Sequence, residues 1–147
     1  MKNYQNIDLN KYSSIKHTFS VNEDNTVMVV KFSGLYRKGS LGNGDGIFMF
    51  SLLATHYYIF ESITIILDLQ DLDYEWGNTI FKSLNFFDEI GRDNDEKDKT
   101  VIIIPSAQNE MTIKEIESHL SNGRRIYCTS LEDAEARALK IVTEYLG

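Results

Sequence analysis

The run at residues 63–67, Ile-Thr-Ile-Ile-Leu, constrains the fold more than any other stretch of the chain. Its residues are apolar or β-branched, which is typical of a strand buried on both faces. Such strands belong to parallel α/β sheets, in which functional groups tend to follow the carboxyl ends of central strands. An acidic turn follows this run, and a helical pattern begins at Asn78. We therefore predict a parallel sheet with its functional site in that turn.

Strand patterns and helix patterns alternate along the rest of the chain. Strands are predicted at 18–21, 27–32, 100–104 and 125–129, and helices at 46–60, 78–90, 111–120 and from 131 onward. Gly123 would end the third helix, and 92–99 is predicted to be a charged loop. Residues 130–133 form a variant of the capping box, which predicts that Ser130 caps the last helix. The alternation implies an α/β fold with a mainly parallel central sheet of about five strands and crossover helices. Residues 1–17 lack periodicity, which predicts a flexible segment before a single domain at 18–147.

Composition limits the classes of partner. The net charge of -7 predicts repulsion from nucleic acid and from anionic membranes, and attraction to a basic partner. The chain has no run of about 18 apolar residues, and its first residues lack the apolar segment of a signal peptide. The lone Cys128 has no second cysteine with which to form an internal disulfide. We therefore expect a cytoplasmic protein that binds neither nucleic acid nor membranes.

A glycine-rich stretch at 34–46 lies between a predicted strand and a predicted helix. It fits neither the Gly-x-Gly-x-x-Gly pattern nor the P-loop pattern, and Asp45 would repel a phosphate at the helix start. We therefore predict a mobile loop, with Asp45 as the N-cap of the following helix.

Four carboxylates follow the central strand: Asp68, Asp71, Asp73 and Glu75. Carboxylate oxygens suit Mg²⁺, but this spacing matches no established metal loop, so we predict no metal and no other cofactor. A solvated acidic rim beside a helix start is the simpler interpretation. Such a rim is well suited to electrostatic contact with a basic protein.

Tyr74 and Trp76 place two aromatic side chains in the same turn. Exposed aromatic side chains often anchor protein interfaces, although Trp76 could instead pack under the edge of the sheet. The possible catalytic side chains form no recognisable metal spacing and no nucleophile–base pair: His17, His56, His119 and Cys128. We therefore predict that the protein is not an enzyme and that Cys128 is a buried core residue.

Two stretches of the sequence resemble the STAS domain, the fold of bacterial anti-sigma-factor antagonists. Residues 65–72 resemble the central strand of that family. Ser130, Glu132 and Ala134 match the Ser/Thr-x-Glu-x-Ala start of its closing helix. The resemblance covers about residues 26–146 and implies a STAS-like sheet and a regulatory protein as partner.

The phosphorylated serine of the STAS family has no equivalent in this chain. In that family the central strand ends in aspartate, serine, a small residue and glycine. Aligning Gly77 with that glycine puts Glu75 at the serine and Tyr74 at the aspartate, whereas a shift by one residue uses Asp73 and Tyr74. Neither register supplies a Ser or Thr hydroxyl, so the resemblance implies a regulator without the phosphorylation switch. Glu75 could mimic part of the phosphate charge.

These observations together predict a non-catalytic module that acts by docking on a partner protein. The predicted contact surface is the acidic, aromatic turn and the start of the next helix: Asp71, Asp73, Tyr74, Glu75, Trp76, Asn78 and Thr79. An immunity protein that neutralises a basic toxin is an alternative, because charge complementarity speeds association. A second alternative is an enzyme in which Asp68 and Asp73 hold a metal or the glycine-rich stretch holds a phosphate.

Overall fold

The computed structural model describes residues 3–91, 96–119 and 124–147. Five strands lie in this part of the chain: β1 (Lys16–Val21), β2 (Val27–Leu35), β3 (Thr64–Asp73), β4 (Thr100–Ile104) and β5 (Arg124–Tyr127). The α-helices described are α1 (Gly42–Phe60), α2 (Phe81–Leu84), α3 (Phe86–Ile90), α4 (Glu110–Ser118) and α5 (Leu131–Leu146). Short 3-10 helices are present at Leu9–Lys11 and Gly39–Leu41. None of the described helices combines the length and the hydropathy needed to cross a membrane.

The sheet has the strand order β1-β2-β3-β4-β5. β1 is antiparallel to β2, and the other neighbouring pairs are parallel. This arrangement confirms the predicted α/β fold with a mainly parallel sheet and interleaved helices. Helices α1 to α4 cover one face of the sheet, and α5 covers the other. β3 lies between these layers, so Ile65 and Ile66 are fully buried on opposite faces, as the apolar run predicts.

β3 is longer than the sequence predicts, because β2 offers a long partner strand. β2 and β3 stay paired up to the pair formed by Leu35 and Asp73. A shift in register beyond Lys31 places an additional residue in β3, which bulges at residues 69–70. Asp71 and Asp73 therefore belong to a strand, and the predicted acidic turn begins only after Asp73.

The side chain of the buried Asn109 supplies hydrogen-bond donors to the part of β3 that extends beyond β4. The last residue of β4, Ile104, pairs with Asp68, so the carbonyl groups farther along β3 have no β4 partner. The Asn109 amide nitrogen donates hydrogen bonds to the carbonyl oxygens of Leu69 and Leu72, at 3.0 and 2.9 Å. These two carbonyl groups are shielded from water, and the Asn109 side chain gives each of them a hydrogen-bond donor.

Asn109→Ala is expected to lower the free energy of unfolding by about 2 kcal/mol, because two buried carbonyl groups would lose their donor. Gln108→Ala is the control, because Gln108 is exposed and its bonds to the Tyr74 N–H and the Asp73 carboxylate are long, at 3.2 and 3.3 Å, so its loss should be smaller. Urea denaturation followed by circular dichroism measures both losses. Similar losses for the two variants would show that the buried hydrogen bonds of Asn109 contribute no more to stability than those of the exposed Gln108.

The prediction of a mobile loop is wrong for residues 39–46. Residues 39–41 form a 3-10 helix, and the glycines after them belong to the first turns of α1. Asp45 is not the N-cap, because the helix begins before it and its side chain is completely buried. The glycines are required for close packing against neighbouring backbone, as described below.

The helix predicted at 78–90 is divided in two. Asn85, with φ -104° and ψ 32°, interrupts the helix between α2 and α3. Its side-chain oxygen accepts a hydrogen bond from Arg125 at 2.6 Å, which ties this break to β5. The N-cap predicted for the last helix is confirmed, because the Ser130 hydroxyl accepts a hydrogen bond from the Asp133 N–H.

Other predictions concern the ends of elements. β1 begins at Lys16, and both Ser13 and Ile15 are already buried, so the structured part starts earlier than residue 18. Flexibility of the residues before them remains a prediction. The predicted helix end at Leu120 and Gly123, and residues 92–95 of the predicted charged loop, lie outside the described residues.

Candidate functional site

The carboxyl ends of β2, β3 and β4 meet at one edge of the sheet, which we call the carboxyl edge. It comprises the segments that follow these strands, at residues 36–42, 74–80 and 105–109, together with the last residues of β3. In open parallel sheets, ligands bind outside the carboxyl ends of the strands. The turn predicted to be functional lies here.

Two buried tyrosines form the base of the carboxyl edge. The rings of Tyr36 and Tyr74 meet edge to face, with centroids 5.0 Å apart and planes at 87°. The Tyr74 hydroxyl donates a hydrogen bond to the Gly77 carbonyl oxygen, which closes the turn after β3. Burial raises the pKa of both phenols above their ordinary value, and for Tyr36 the nearby Asp45 carboxylate adds to the shift.

The expectation that Tyr74 is an exposed contact residue is wrong. Its side chain is fully buried. The alternation of side chains along β3 continues past its end and directs Tyr74 to the face covered by α1 to α4. Tyr74 positions the turn from beneath, and Trp76 is the aromatic side chain that reaches solvent.

Glycines in the first turns of α1 allow the helix to lie directly against the carboxyl edge. A Cβ atom on Gly42 would stand 2.1 Å from the Arg37 carbonyl oxygen, and one on Gly46 would stand 2.8 Å from the Thr79 carbonyl carbon. Both distances are shorter than a non-bonded contact permits. The glycine-rich stretch therefore serves packing, which its glycine content alone could not distinguish from mobility.

Trp76 is held against the surface on one side and is open to solvent on the other. Its indole ring lies over Gly39, where a Cβ atom would come within 2.6 Å of the ring. Gly39 adopts a φ of +60°, and Gly77, directly after the tryptophan, adopts +135°. Trp76 is 57% exposed. The turn thus presents a large aromatic side chain that packs on Gly39 and is otherwise open to solvent.

The carboxylates of the carboxyl edge are less free than the sequence suggests. Lys31 pairs with Asp71 at 2.6 Å, and Lys38 pairs with Glu75 at 2.8 Å. These exposed pairs raise the pKa of both lysines above their ordinary value. The Asp73 carboxylate accepts a long hydrogen bond of 3.3 Å from a side-chain amide. The rim is therefore of mixed charge, and its ion pairs are weak because water surrounds them.

Asn78 and Thr79 complete the predicted contact surface. Asn78 is exposed, and Thr79 is half-buried with its hydroxyl bonded to the Asn43 side chain on α1. The structure adds Lys38 and Leu41 to this surface, which sequence reasoning missed. Leu41 is a large apolar side chain that is 66% exposed. Lys38 pairs with Glu75, and Lys38 and Leu41 both lie within two residues of Gly39, over which Trp76 packs. Because this stretch is far from the turn in the sequence, only the folded chain brings it to the turn.

Asp68 does not belong to the exposed rim. Its side chain is buried at the β3 bulge, where its carboxylate accepts hydrogen bonds from the backbone N–H and the side-chain amide of Gln70, at 3.1 and 3.0 Å. Within residues 3–91, 96–119 and 124–147, no three His, Cys, Asp or Glu side chains converge as metal ligands would.

Asp45 joins three parts of the chain beneath the carboxyl edge. Its completely buried carboxylate accepts hydrogen bonds from the Ser13 hydroxyl at 2.6 Å, from the Arg37 N–H at 2.8 Å and from the Arg37 guanidinium at 3.0 Å. Burial alone would raise the pKa of Asp45. The hydrogen bonds and the charge of Arg37 outweigh that effect and hold the pKa below its ordinary value.

His17, His56 and Cys128 pack against neighbouring side chains, whereas His119 is exposed at the end of α4. His56 stacks on Phe19, with ring centroids 3.5 Å apart, and His17 meets Phe48 edge-on. Cys128 is buried as predicted, and burial raises the pKa of its thiol.

Fold and site together define an α/β protein whose carboxyl edge presents an exposed tryptophan within a rim of mixed charge. Comparisons with protein-family models, curated proteins and solved structures find no match for this chain.

Proposed function

We propose that the protein is a cytoplasmic, non-catalytic module that docks on a basic partner protein through the exposed part of the carboxyl edge. The docking surface consists of the exposed or half-buried residues around the tryptophan: Lys38, Leu41, Asp71, Asp73, Glu75, Trp76, Asn78 and Thr79. The single observation that carries the proposal is the half-exposed Trp76, fixed over Gly39.

A tryptophan held in this way is a favourable binding anchor. The Tyr74 hydroxyl donates a hydrogen bond to the Gly77 carbonyl oxygen and the indole ring packs on Gly39, so the tryptophan has less conformational entropy to lose when a partner binds. Aromatic anchors surrounded by polar side chains that exclude water carry much of the affinity in protein interfaces. The charged rim and Asn78 would provide such surroundings for Trp76.

The charge of the molecule supports a basic partner. A net charge of -7 attracts cationic surfaces over long distances and speeds association. At close range, a partner's basic side chains would compete with Lys31 and Lys38 for Asp71 and Glu75. Among the described residues, Asp73 makes only a hydrogen bond of 3.3 Å, so its carboxylate is the most available to them.

A STAS-like regulator is the first form of this proposal. The mixed sheet with interleaved helices and the Ser130 cap are compatible with the layout that the resemblance implies. Glu75 is exposed on the docking surface, at the position that one register gives to the family's phosphorylated serine. A permanent carboxylate there would make docking independent of a kinase.

An immunity protein that neutralises a basic toxin would use the same docking surface and the same net charge, so the identity of the partner separates these two forms.

We propose no catalytic role. Asp68 is engaged by Gln70, and the glycine-rich stretch is helical where a phosphate loop would be open.

Trp76→Ala is expected to weaken binding to the partner by about 30-fold, because truncation of a central anchor typically costs about 2 kcal/mol. The partner is first captured from native lysate as a basic protein that wild type retains and the Glu75→Lys, Trp76→Ala double variant does not. Calorimetry with the purified partner then measures the dissociation constant.

Tyr58→Ala is the matched control for Trp76→Ala. Tyr58 is an aromatic side chain of similar exposure, 62%, near the opposite end of α1 from the carboxyl edge. Its replacement should leave the dissociation constant unchanged. Equal affinity of the wild type and Trp76→Ala would place the contact elsewhere, and failure of wild type to retain any protein would count against a binding module.

A further inference from the structure

Helix α5 is the only described helix on its face of the sheet, and it is too narrow to cover five strands. Neighbouring strands lie about 4.8 Å apart, so the sheet is about 19 Å wide, whereas a helix with its side chains is about 10–12 Å across. α5 packs on the middle of the sheet, against Ile66 of β3 and Ile102 of β4. A groove therefore remains on each side of it.

The groove between α5 and β5 is rich in cations. It has a volume of about 280 Å³, and it is lined by three basic residues, one acidic residue and two isoleucines: Arg124, Arg137, Lys140, Glu144, Ile126 and Ile141. We call it the basic groove. The three basic residues are exposed. A local excess of positive charge is unexpected in a molecule whose net charge is -7.

The cations of the basic groove are not neutralised within the described part of the chain. No ion pair there involves Arg124, Arg137 or Lys140. Arg137 lies beside the Cys128 thiol, whose pKa is raised by burial, so the thiol is neutral at physiological pH and leaves this cation uncompensated. Like charges about one helical turn apart repel each other, as those of Arg137 and Lys140 do. An anion bound in the groove would relieve this repulsion.

The outer side of β5 offers backbone groups to an extended chain. β5 is the last strand in the order of the sheet. The Cys128 N–H, directly after β5, donates to the Ile103 carbonyl oxygen at 3.0 Å, so it faces β4. Because backbone groups alternate in direction along a strand, those of Tyr127 point away from the sheet. Among the described residues, no turn, loop or side-chain hydrogen bond ends on the backbone of Tyr127.

We propose that an acidic, extended segment of a partner protein lies along β5 and places its carboxylates in the basic groove. Such a segment would add a strand to the sheet and pair with the backbone of Tyr127. Every second side chain would then point to the face covered by α5. Carboxylates at these positions would meet the three cations, and apolar side chains among them would contact Ile126 and Ile141.

The charges of the molecule favour a short acidic segment over nucleic acid. Nucleic acid carries a charge at every phosphate, and a net charge of -7 repels it along its whole length. A segment with a few carboxylates brings little charge, and at physiological salt charges more than about 8 Å away are largely screened. The isoleucines and the outward backbone of Tyr127 also suit a polypeptide better than a chain of phosphates.

The basic groove shares no residue with the docking surface. Arg124 begins β5, so the groove extends toward the opposite end of the strands from the carboxyl edge. This proposal therefore does not depend on the proposed function, and the two surfaces could be occupied at the same time.

Fluorescence anisotropy of the full chain with a labelled peptide tests the proposal. The probe is a decapeptide of alternating Glu and Val, and we expect a dissociation constant of about 100 μM that rises with salt concentration. A decapeptide of alternating Ser and Val should bind at least about tenfold more weakly. Failure of the Glu peptide to bind at about 1 mM would overturn the proposal, and so would tighter binding of an oligothymidylate of the same length.

Charge reversal in the basic groove tests its position. The double variant Arg137→Glu, Lys140→Glu should raise the dissociation constant of the Glu peptide at least about tenfold, because repulsion replaces attraction at two contacts. Both residues are exposed on a helix, and Glu is a good helix former, so the fold should be kept. The matched control is Lys11→Glu, Lys16→Glu, which makes the same change in net charge at exposed residues outside the groove. Equal effects of the two double variants would mean that only the net charge matters.

Amide hydrogen exchange tests the pairing with β5. Excess Glu peptide should slow exchange at the Tyr127 amide, which points outward, and leave Ile126, whose amide faces β4, unchanged. Binding without protection of Tyr127 would overturn the proposal, because the carboxylates would then be held by side chains alone.

Discussion

Arg37→Met is expected to lower the free energy of unfolding by about 3 kcal/mol at pH 7, the lower end of the range for breaking a buried ion pair. Methionine keeps much of the side-chain length but removes the cation, which lies 3.0 Å from the fully buried Asp45 carboxylate. The carboxylate would keep only the donors from Ser13 and the backbone at position 37. Because Arg37 is itself 41% exposed, water already screens the pair, and the loss stays moderate.

Lys38→Met is the matched control for Arg37→Met. Lys38 is the next residue along the chain and also pairs with a carboxylate, but both it and Glu75 are exposed. Its replacement should change stability by no more than the error of a urea denaturation experiment. Equal losses for the two variants would show that burial of Asp45 does not set the strength of the interaction.

The effect of Arg37→Met should also depend on pH. The pKa of Asp45 lies below its ordinary value in the folded protein, so its stabilising contribution is present above about pH 4 and is lost as the pH falls through the folded-state pKa. In the variant, the Arg37 cation no longer opposes the effect of burial on the pKa of Asp45, so the folded protein favours the neutral carboxylic acid at this position. The stability difference between wild type and variant should therefore be largest at pH 7 and smaller at about pH 3. A difference that grows in acid would contradict this account.

Gly42→Ala is expected to lower the free energy of unfolding by about 3 kcal/mol, because the added methyl group would collide with backbone. The Cβ atom would stand 2.1 Å from the Arg37 carbonyl oxygen and 2.5 Å from the Tyr36 ring. A backbone carbonyl cannot rotate out of the way as the end of a long side chain can. α1 would have to move away from the carboxyl edge to accept the methyl group.

Gly44→Ala, two residues away in the same helix, is the matched control for Gly42→Ala. Its Cβ atom would meet its nearest neighbours, side-chain atoms of Arg37 and Tyr12, at 3.3 and 3.4 Å, which needs only a small adjustment. Alanine also favours the helical state by up to about 1 kcal/mol over glycine. Thermal denaturation should therefore give an unchanged or higher melting temperature for Gly44→Ala and a clearly lower one for Gly42→Ala. The reverse order would mean that the glycines do not serve packing.

Arg37→Met and Gly42→Ala change contacts beneath the docking surface without replacing any of its residues. Asp45 connects the start of α1 to the segment after β2, and Gly42 allows α1 to approach that segment. Gly39, over which Trp76 packs, lies in the same segment. Gly42→Ala is therefore expected to weaken partner binding as well as stability, although it replaces no residue of the docking surface.

Local patterns were sufficient to predict most of the fold. The alternation of strand and helix patterns follows from periodicities that each segment carries in itself, and the run at 63–67 indicated a strand buried on both faces. Ser130 capped its helix as predicted, because an N-cap bond joins residues only a few positions apart. The break at Asn85 was not predictable in this way, because Arg125 binds there from a distant strand.

The candidate site was predicted only in part. Trp76 and Glu75 are exposed in the predicted turn, whereas Tyr74, directly before them in the sequence, is buried. The strand predicted from the sequence ended at residue 67, and the additional residue at 69–70 shifts the alternation of β3, so the sequence alone did not give the direction of the Tyr74 side chain. Lys38, which pairs with Glu75, comes from another connection, so the number of carboxylates overstated the charge of the rim.

The sequence by itself determined the class of fold and the position of the central strand, because these depend on hydrophobic periodicity and chain order. Only the tertiary structure decided that the glycine-rich stretch is a packed helix start, that Asp45 is a buried anchor and that Trp76 is the exposed aromatic side chain. Each of these depends on contacts between segments far apart in the chain. A glycine fits a mobile loop and a close approach equally well until the neighbouring backbone is in place.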